Sequence, residues 1–172
     1  LHYPDITLKG KNQKDFQNAL SNSIRRRLDN AGYHWNIGAS RGRAIIVVPN
    51  QQQSEAGQVA SMLQKIPGIY SLAIARWLHP ADCLDTDRAM NWKMIGDEIV
   101  AVARQCYINH ASFAVKVHRA DKSLPVTSTE MAGWLGDLIQ RETDWNTVRL
   151  NRPDQTFYVD ALLDGMYFYS RK

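Results

Sequence analysis

Lys116, His118, Arg119 and Lys122 crowd into seven residues, and Thr127 and Ser128 follow where a helix should start. Cations of this kind neutralise phosphate, and the free N–H groups and dipole of a helix N-terminus favour an anion. A phosphate held near Lys122, Thr127 and Ser128 is the chemistry this spacing suits. The plainer alternative is that Thr127 and Ser128 cap the helix and Lys122 is a surface charge. A second basic set lies near the start of the chain: Lys9 and Lys11 in a turn, then Lys14 and Arg25 on the helix that follows. Lys14 and Arg25 are eleven residues apart, about 1100° at roughly 100° per residue, so they share a line along that helix. Arg25 falls about 180° from Phe16 and hence from the apolar seam. A solvated helix face presents the same pattern, so this line alone does not assign a ligand. Arg27 lies about 20° from Phe16 on the same wheel and is expected to snorkel past the core or pair with a carboxylate.

No catalytic or metal-binding pattern accompanies these cations. Gly10-Lys11-Asn12 lacks both the earlier glycine and the following Ser/Thr of a nucleotide P-loop. The five histidines (His2, His34, His79, His110 and His118) show no paired spacing that suits a metal. Cys83 and Cys106 stand far apart without neighbouring ligands; they suit a reducing compartment and are expected to be packing residues. The reading is therefore of a chain with no catalytic residues, no metal and no cofactor of its own. Trp35, Trp77, Trp134 and Trp145 offer rings on which unpaired bases can stack. Trp134 and Trp35 fall on apolar seams, however, and no aromatic is assigned to a ligand.

The elements that would position these residues follow from periodicity. A short β-like segment, Tyr3–Leu8, precedes Asn12, which has the character of a helix cap with Asp15 three residues later. Phe16, Leu20, Ile24 and Leu28 recur every four residues and give an amphipathic helix ending before Gly32. Tyr33, Trp35 and Ile37 alternate as a strand, and Ala44–Val48 is a second one ended by Pro49. A helix from Ser54 carries Val59, Met62, Leu63 and Ile66, Pro67-Gly68 stops it, and Ile69–Leu78 reads as a strand. This βαββαβ order is the ferredoxin-like arrangement. After a boundary at His79-Pro80-Ala81-Asp82, the remainder reads αβαβββ. Ile95, Ile99, Val102, Ala103 and Cys106 mark one helix, and Phe113, Val115 and Val117 a strand that turns Lys116 and His118 away from the core. Thr127 with Glu130 forms a capping box ahead of Met131, Trp134, Leu135, Leu138 and Ile139. Thr156–Leu162 and Met166–Tyr169 close the chain as a hairpin about Asp164-Gly165. The fold class is α+β, with a ferredoxin-like domain over 1–78 and a second α/β domain over 79–172.

Composition fits this picture. The 172 residues are 44% hydrophobic and 22% charged, which is globular rather than disordered. No apolar run approaches the roughly 20 residues that cross a bilayer, and Tyr3-Pro4-Asp5 interrupts any signal-peptide pattern. A cytoplasmic protein with no membrane partner is expected. The net charge of +4 is uneven. Residues 1–78 hold ten Lys/Arg against four Asp/Glu, and residues 79–172 hold eleven against thirteen, so the first half should attract a polyanion. The start at Leu1 without methionine and the stop at Arg171-Lys172 after a strand-like run read as a piece of something longer.

Two stretches carry a family resemblance. Leu8-Lys9-Gly10-Lys11-Asn12, followed by Phe16, Leu20, Asn22 and Ile24, resembles the start of the tRNA 4-thiouridine synthetases, the tRNA sulfurtransferases of the thiamine-biosynthesis type. Phe113–Lys122, then Pro125, Thr127-Ser128, Glu130, Gly136 and Asn151-Arg152-Pro153-Asp154, is similar to the THUMP domain of the same enzymes, and Pro67-Gly68-Ile69 matches a turn of their ferredoxin-like domain. The resemblance implies a tRNA-binding module that recognises the acceptor stem and 3′-CCA end, with Lys9, Lys11, Lys14, Arg25, Lys116, His118, Arg119, Lys122, Thr127 and Ser128 as RNA contacts. It implies a parent enzyme that makes 4-thiouridine at position 8 of tRNA, using ATP and a persulfide sulfur carrier in a PP-loop domain absent from this chain, and acting as a homodimer. Where the family often has two arginines, this chain has His118-Arg119. THUMP domains also accompany RNA methyltransferases and deaminases, which is the alternative parent. A non-RNA interaction domain with an incidental basic face is the third reading.

Overall fold

The computed structural model describes residues 11–40 and 43–171. The chain divides into two compact units, Leu1–Ile74 and Ala75–Lys172.

In the first unit, α1 runs over Lys11–Asn30 and buries Leu20, Ile24 and Leu28, with Phe16 half-buried at its start. The four-residue apolar spacing produces this seam. Gly32, at φ 82°, ends the helix in a Schellman motif: Tyr33 N–H donates to Leu28 O and Gly32 N–H to Asp29 O. Strands β1 (Asn36–Ser40) and β2 (Arg43–Val47) pair antiparallel with Ile37 opposite Ile46. A 3-10 helix over Asn50–Glu55 follows Pro49 and leads into α2, Ala56–Leu63, which buries Val59 and Leu63. Trp35 is buried in this core, as its place on the apolar alternation suggests, and its Nε1 donates to Gln52 Oε1 at 2.7 Å.

Two expectations for this unit change, and a third falls outside the described residues. The segment Tyr3–Leu8 and Lys9 lie outside the described residues. Lys11 and Asn12 are helical, within α1, rather than turn and cap. The expected strand Ile69–Leu78 is a strand only over Ala75–Leu78 (β3), and this piece pairs with a strand of the second unit. The apolar run serves two cores: Ile69 and Leu72 pack with the first and Leu78 with the second, while Tyr70 and Ile74 are exposed. The division thus falls at 74 rather than 78.

The second unit is a five-stranded sheet of order β3-β7-β6-β4-β5. After β3 comes a single helical turn, α3 (Pro80–Cys83), where a boundary had been expected. His79 Nδ1 accepts from Ala81 N–H there, and proline occupies the first helical position. Helix α4 (Trp92–Gln105) is capped by Asn91 and α5 (Ser128–Glu142) by Thr127. Strand β4 (Ser112–Arg119) runs parallel to both β5 (Thr147–Val148) and β6 (Gln155–Leu162). Helix α5 makes the crossover that a parallel pair requires. The last strand, β7 (Gly165–Arg171), returns antiparallel to β6 and pairs with β3 on its other side. Ile95, Ile99, Met131, Leu135 and Ile139 pack over Phe113, Phe157, Val159 and Phe168, with Trp145 fully buried among them. Trp134 is only half-buried, lying against this core with its ring 4.3 Å from that of Trp92. Cys83 is buried, and burial pushes its thiol up to about 11, so it stays protonated and inert at neutral pH.

Candidate nucleic-acid interface

The two faces of the sheet differ because strand residues alternate. On β4, Val115 and Val117 pack toward the helices, and Lys116 and His118 point the other way and are exposed. Cross-strand register extends each of them into a row. Lys116 lies opposite Tyr158, which lies opposite Tyr169; His118 lies opposite Asp160, which lies opposite Tyr167. Tyr158 and Tyr169 stack at 5.2 Å and 9°, with the Arg171 guanidinium 5.5 and 5.2 Å from their ring centroids. Tyr169 donates to Asp160 Oδ2 at 3.0 Å. This aromatic and cationic row was missed in the sequence. Its only signal was the alternation of Tyr158 and Asp160 against Phe157 and Val159.

At the far end of β4 the chain enters a braced loop. Ala120 and Asp121 N–H both donate to Ala161 O, and Asp121 Oδ1 accepts from the N–H and Oγ of Ser123. Leu124 is buried, and Arg119 Nη1 donates to its carbonyl at 2.9 Å. Arg119 therefore braces the loop, and Lys122 at its tip is the exposed cation. Thr127 Oγ1 accepts from Glu130 N–H at 3.2 Å, and Glu130 Oε2 accepts from Thr127 N–H at 2.8 Å. The reciprocal cap holds the Glu130 carboxyl below the usual carboxylate range. An anion at this helix start would meet that carboxylate, so only the first N–H groups, beginning with that of half-buried Ser128, remain for a ligand. Five expected contacts (Arg119, Lys122, Thr127, Ser128 and, on the strand, His118) thus belong to one end of β4, with Lys116 two residues earlier.

In the first unit, Lys11 and Lys14 lie at the start of α1. Arg25 is exposed, yet its Nη1 donates to Trp35 O at 2.7 Å, so one edge of the guanidinium is fixed by the domain itself. Arg27 is exposed and, among the described residues, has no carboxylate partner of the kind offered as one of its two expected roles. Leu20, Ile24 and Leu28 close the seam without it, and in the last turn its charge complements the helix C-terminus. Among the described residues no three His, Cys, Asp or Glu side chains come together to hold a metal. None of the described helices is long and apolar enough to cross a membrane.

Local acid-base behaviour follows from two carboxylates. Ser112 holds Asp154 below the ordinary aspartate range through its Oγ and N–H, both of which reach Asp154 Oδ2. Depressed folded-state values stabilise the protein above the unfolded pKa, and that contribution disappears as pH falls through the folded value. Stability of the second unit should therefore be level down to about pH 5 and fall as pH drops below the ordinary carboxylate values of about 4. The fall should be shallower in a Glu130→Gln, Asp154→Asn double variant, as followed by thermal melts across pH. An unchanged slope would show that neither carboxylate is preferentially bonded in the folded state.

With this geometry in place, comparisons with known proteins define the class. Residues 1–73 match the family model of the ThiI ferredoxin-like domain, and residues 90–171 match the THUMP domain. A probable tRNA sulfurtransferase of Staphylococcus aureus strain MRSA252 is 26% identical over 98% of this chain and 38% of its own length. Among solved structures, a 4-thiouridine synthetase in complex with RNA and bound ATP superposes with TM-score 0.74 at 21% identity, over 99% of this chain and 40% of that one. The PH1313 protein of Pyrococcus horikoshii gives TM-score 0.77 at 21% identity, over 99% of this chain and 52% of that one. The folds are thus a ferredoxin-like domain followed by a THUMP domain. The chain therefore carries a ThiI ferredoxin-like domain and a THUMP domain, and over nearly its whole length it is similar to probable tRNA sulfurtransferases. It spans about 38% of the length of the curated relatives it matches.

Proposed function

We propose that this chain binds tRNA at its acceptor stem and 3′-CCA end, as the recognition part of a cytoplasmic enzyme that makes 4-thiouridine at position 8. The observation that carries this reading is the run of exposed basic side chains along β4, Lys116 and His118, leading to Lys122 on a loop braced at both ends. A loop that is already braced loses little backbone freedom when its lysine meets a phosphate, which favours binding over a mobile loop. Lys9, Lys11, Lys14 and Arg25 would extend the contact from the first domain. ATP and a persulfide carrier would be handled by other parts of the protein, and two copies would cooperate as a homodimer.

The test is fluorescence anisotropy with a labelled tRNA carrying an intact CCA end and the same tRNA lacking it, near physiological salt. The intact end should bind more tightly. Charge reversal at Lys116 and Lys122 together should weaken binding by roughly tenfold or more and flatten the salt dependence. Equal binding of both tRNAs would remove the acceptor-end reading. Binding that ignores the charge reversal would remove this face as the interface.

A further inference from the structure

The other end of β4 carries a second group of cations that this reading leaves unused. Strands β4 and β6 are parallel neighbours, with Phe113 opposite Gln155, so the loops entering them lie side by side. One loop contains His110 and the other contains Arg149 and Arg152, all exposed. Both loops are fixed. Arg149 N–H donates to Phe113 O at 2.8 Å, Asp154 Oδ2 accepts from Ser112 N–H and Oγ, and Asp154 N–H donates back to Ser112 Oγ. His110 and Arg152 both hold left-handed backbone, at φ 60° and 50°. Three described non-glycine residues have positive φ, and two of them stand at this one end of the sheet. Such conformations cost free energy and persist where the surroundings impose them, commonly at ligand sites. The carboxylate in the loop, Asp154, accepts from Ser112 and also attracts Arg149, while both guanidinium-bearing residues remain exposed to solvent.

We propose that this end of the sheet, with Arg149 and Arg152 as its principal cations and His110 on the adjoining loop, is a second phosphate-contact patch for RNA. The inference rests on the tRNA-binding reading and adds to it a site separate from Lys122. Seven residue steps along β4 place the two ends about 23 Å apart. That is more than two Debye lengths at physiological salt, about 8 Å each, so the two patches act on different phosphates. Variants at the two ends should therefore have additive effects on log Kd.

The experiment compares tRNA binding by the unmodified 172-residue chain, an Arg149→Ala, Arg152→Gly double variant, and Lys122→Glu, across a salt series. Glycine accepts the φ of Arg152 without strain, so the fold should be kept; a melting curve checks this. The double variant is expected to bind on the order of tenfold more weakly, with the salt slope reduced by about 1.4 to 1.8. Combining it with Lys122→Glu should multiply the two losses. Unmodified chain that binds tRNA while the double variant keeps its affinity and slope overturns this patch and leaves the tRNA reading standing. Failure of the unmodified chain to bind at all overturns both.

Discussion

Trp145→Ala is expected to lower the stability of the second domain by about 3–5 kcal/mol. The indole is fully buried and meets Phe113, Phe157 and Tyr107 edge-on, with ring centroids 5.8, 5.3 and 5.6 Å away. Alanine there would open a cavity at the junction of α4, β4 and β6, lined by rings too rigid to fill it. The indole also satisfies backbone. Its Nε1 donates to Ala103 O at 2.9 Å, and Ala103 lies in the last turn of α4, whose carbonyls lack helical partners. Trp145→Phe separates the two roles, since it keeps most of the ring and abandons the carbonyl; about 1–3 kcal/mol should be lost. Urea unfolding followed by far-UV circular dichroism measures both. At about 1–3 kcal/mol per molar, the alanine midpoint should drop by more than about 1 M. A loss under about 1 kcal/mol for alanine would mean the rings close over the gap. Equal losses for the two variants would assign the whole effect to the hydrogen bond.

The parts of this fold that were legible in the sequence are those written locally. The Thr127–Glu130 cap, the seam of Leu20, Ile24 and Leu28, and the stop at Gly32 each depend on residues within one or two turns, and the structure reproduces them. The alternation of β4 told which way Lys116 and His118 point for the same reason. Long-range choices were not legible. Nothing within Ile69–Leu78 says that its last four residues will pair with β7, about ninety positions later. Arg25 and Arg119 have the composition of ligand contacts, but each gives an N–H to a carbonyl of its own domain, Trp35 O and Leu124 O. A helical wheel contains no information about a carbonyl on another element. The stacked Tyr158, Tyr169 and Arg171 escaped notice because they adjoin only through the register of β6 and β7.

Gly165 shows how much such a long-range contact can demand of one position. It opens β7 at φ 126°, a conformation other residues rarely adopt, and pairs with Leu162 at the hairpin end. A Cβ there would collide with Leu78 O and with Trp77 Nε1, both on β3. The tryptophan can rotate only by giving up its 3.0 Å bond to Asp164 O, and the carbonyl cannot move without the strand. Gly165→Ala should therefore cost about 2–4 kcal/mol, combining backbone strain with overlap. Gly32 provides the control, since it also has positive φ but would place a Cβ in open space. Gly32→Ala should cost only about 1–2 kcal/mol. Because β3 is an edge strand whose only strand partner is β7, the damage should appear first as faster amide exchange across Ala75–Leu78, before global unfolding. Exchange by mass spectrometry on both variants decides the matter. Acceleration confined to β3 and the hairpin in Gly165→Ala fits a close approach between strands. Equal and uniform acceleration in both variants would mean that left-handed backbone alone, rather than the contact with β3, requires glycine at this position.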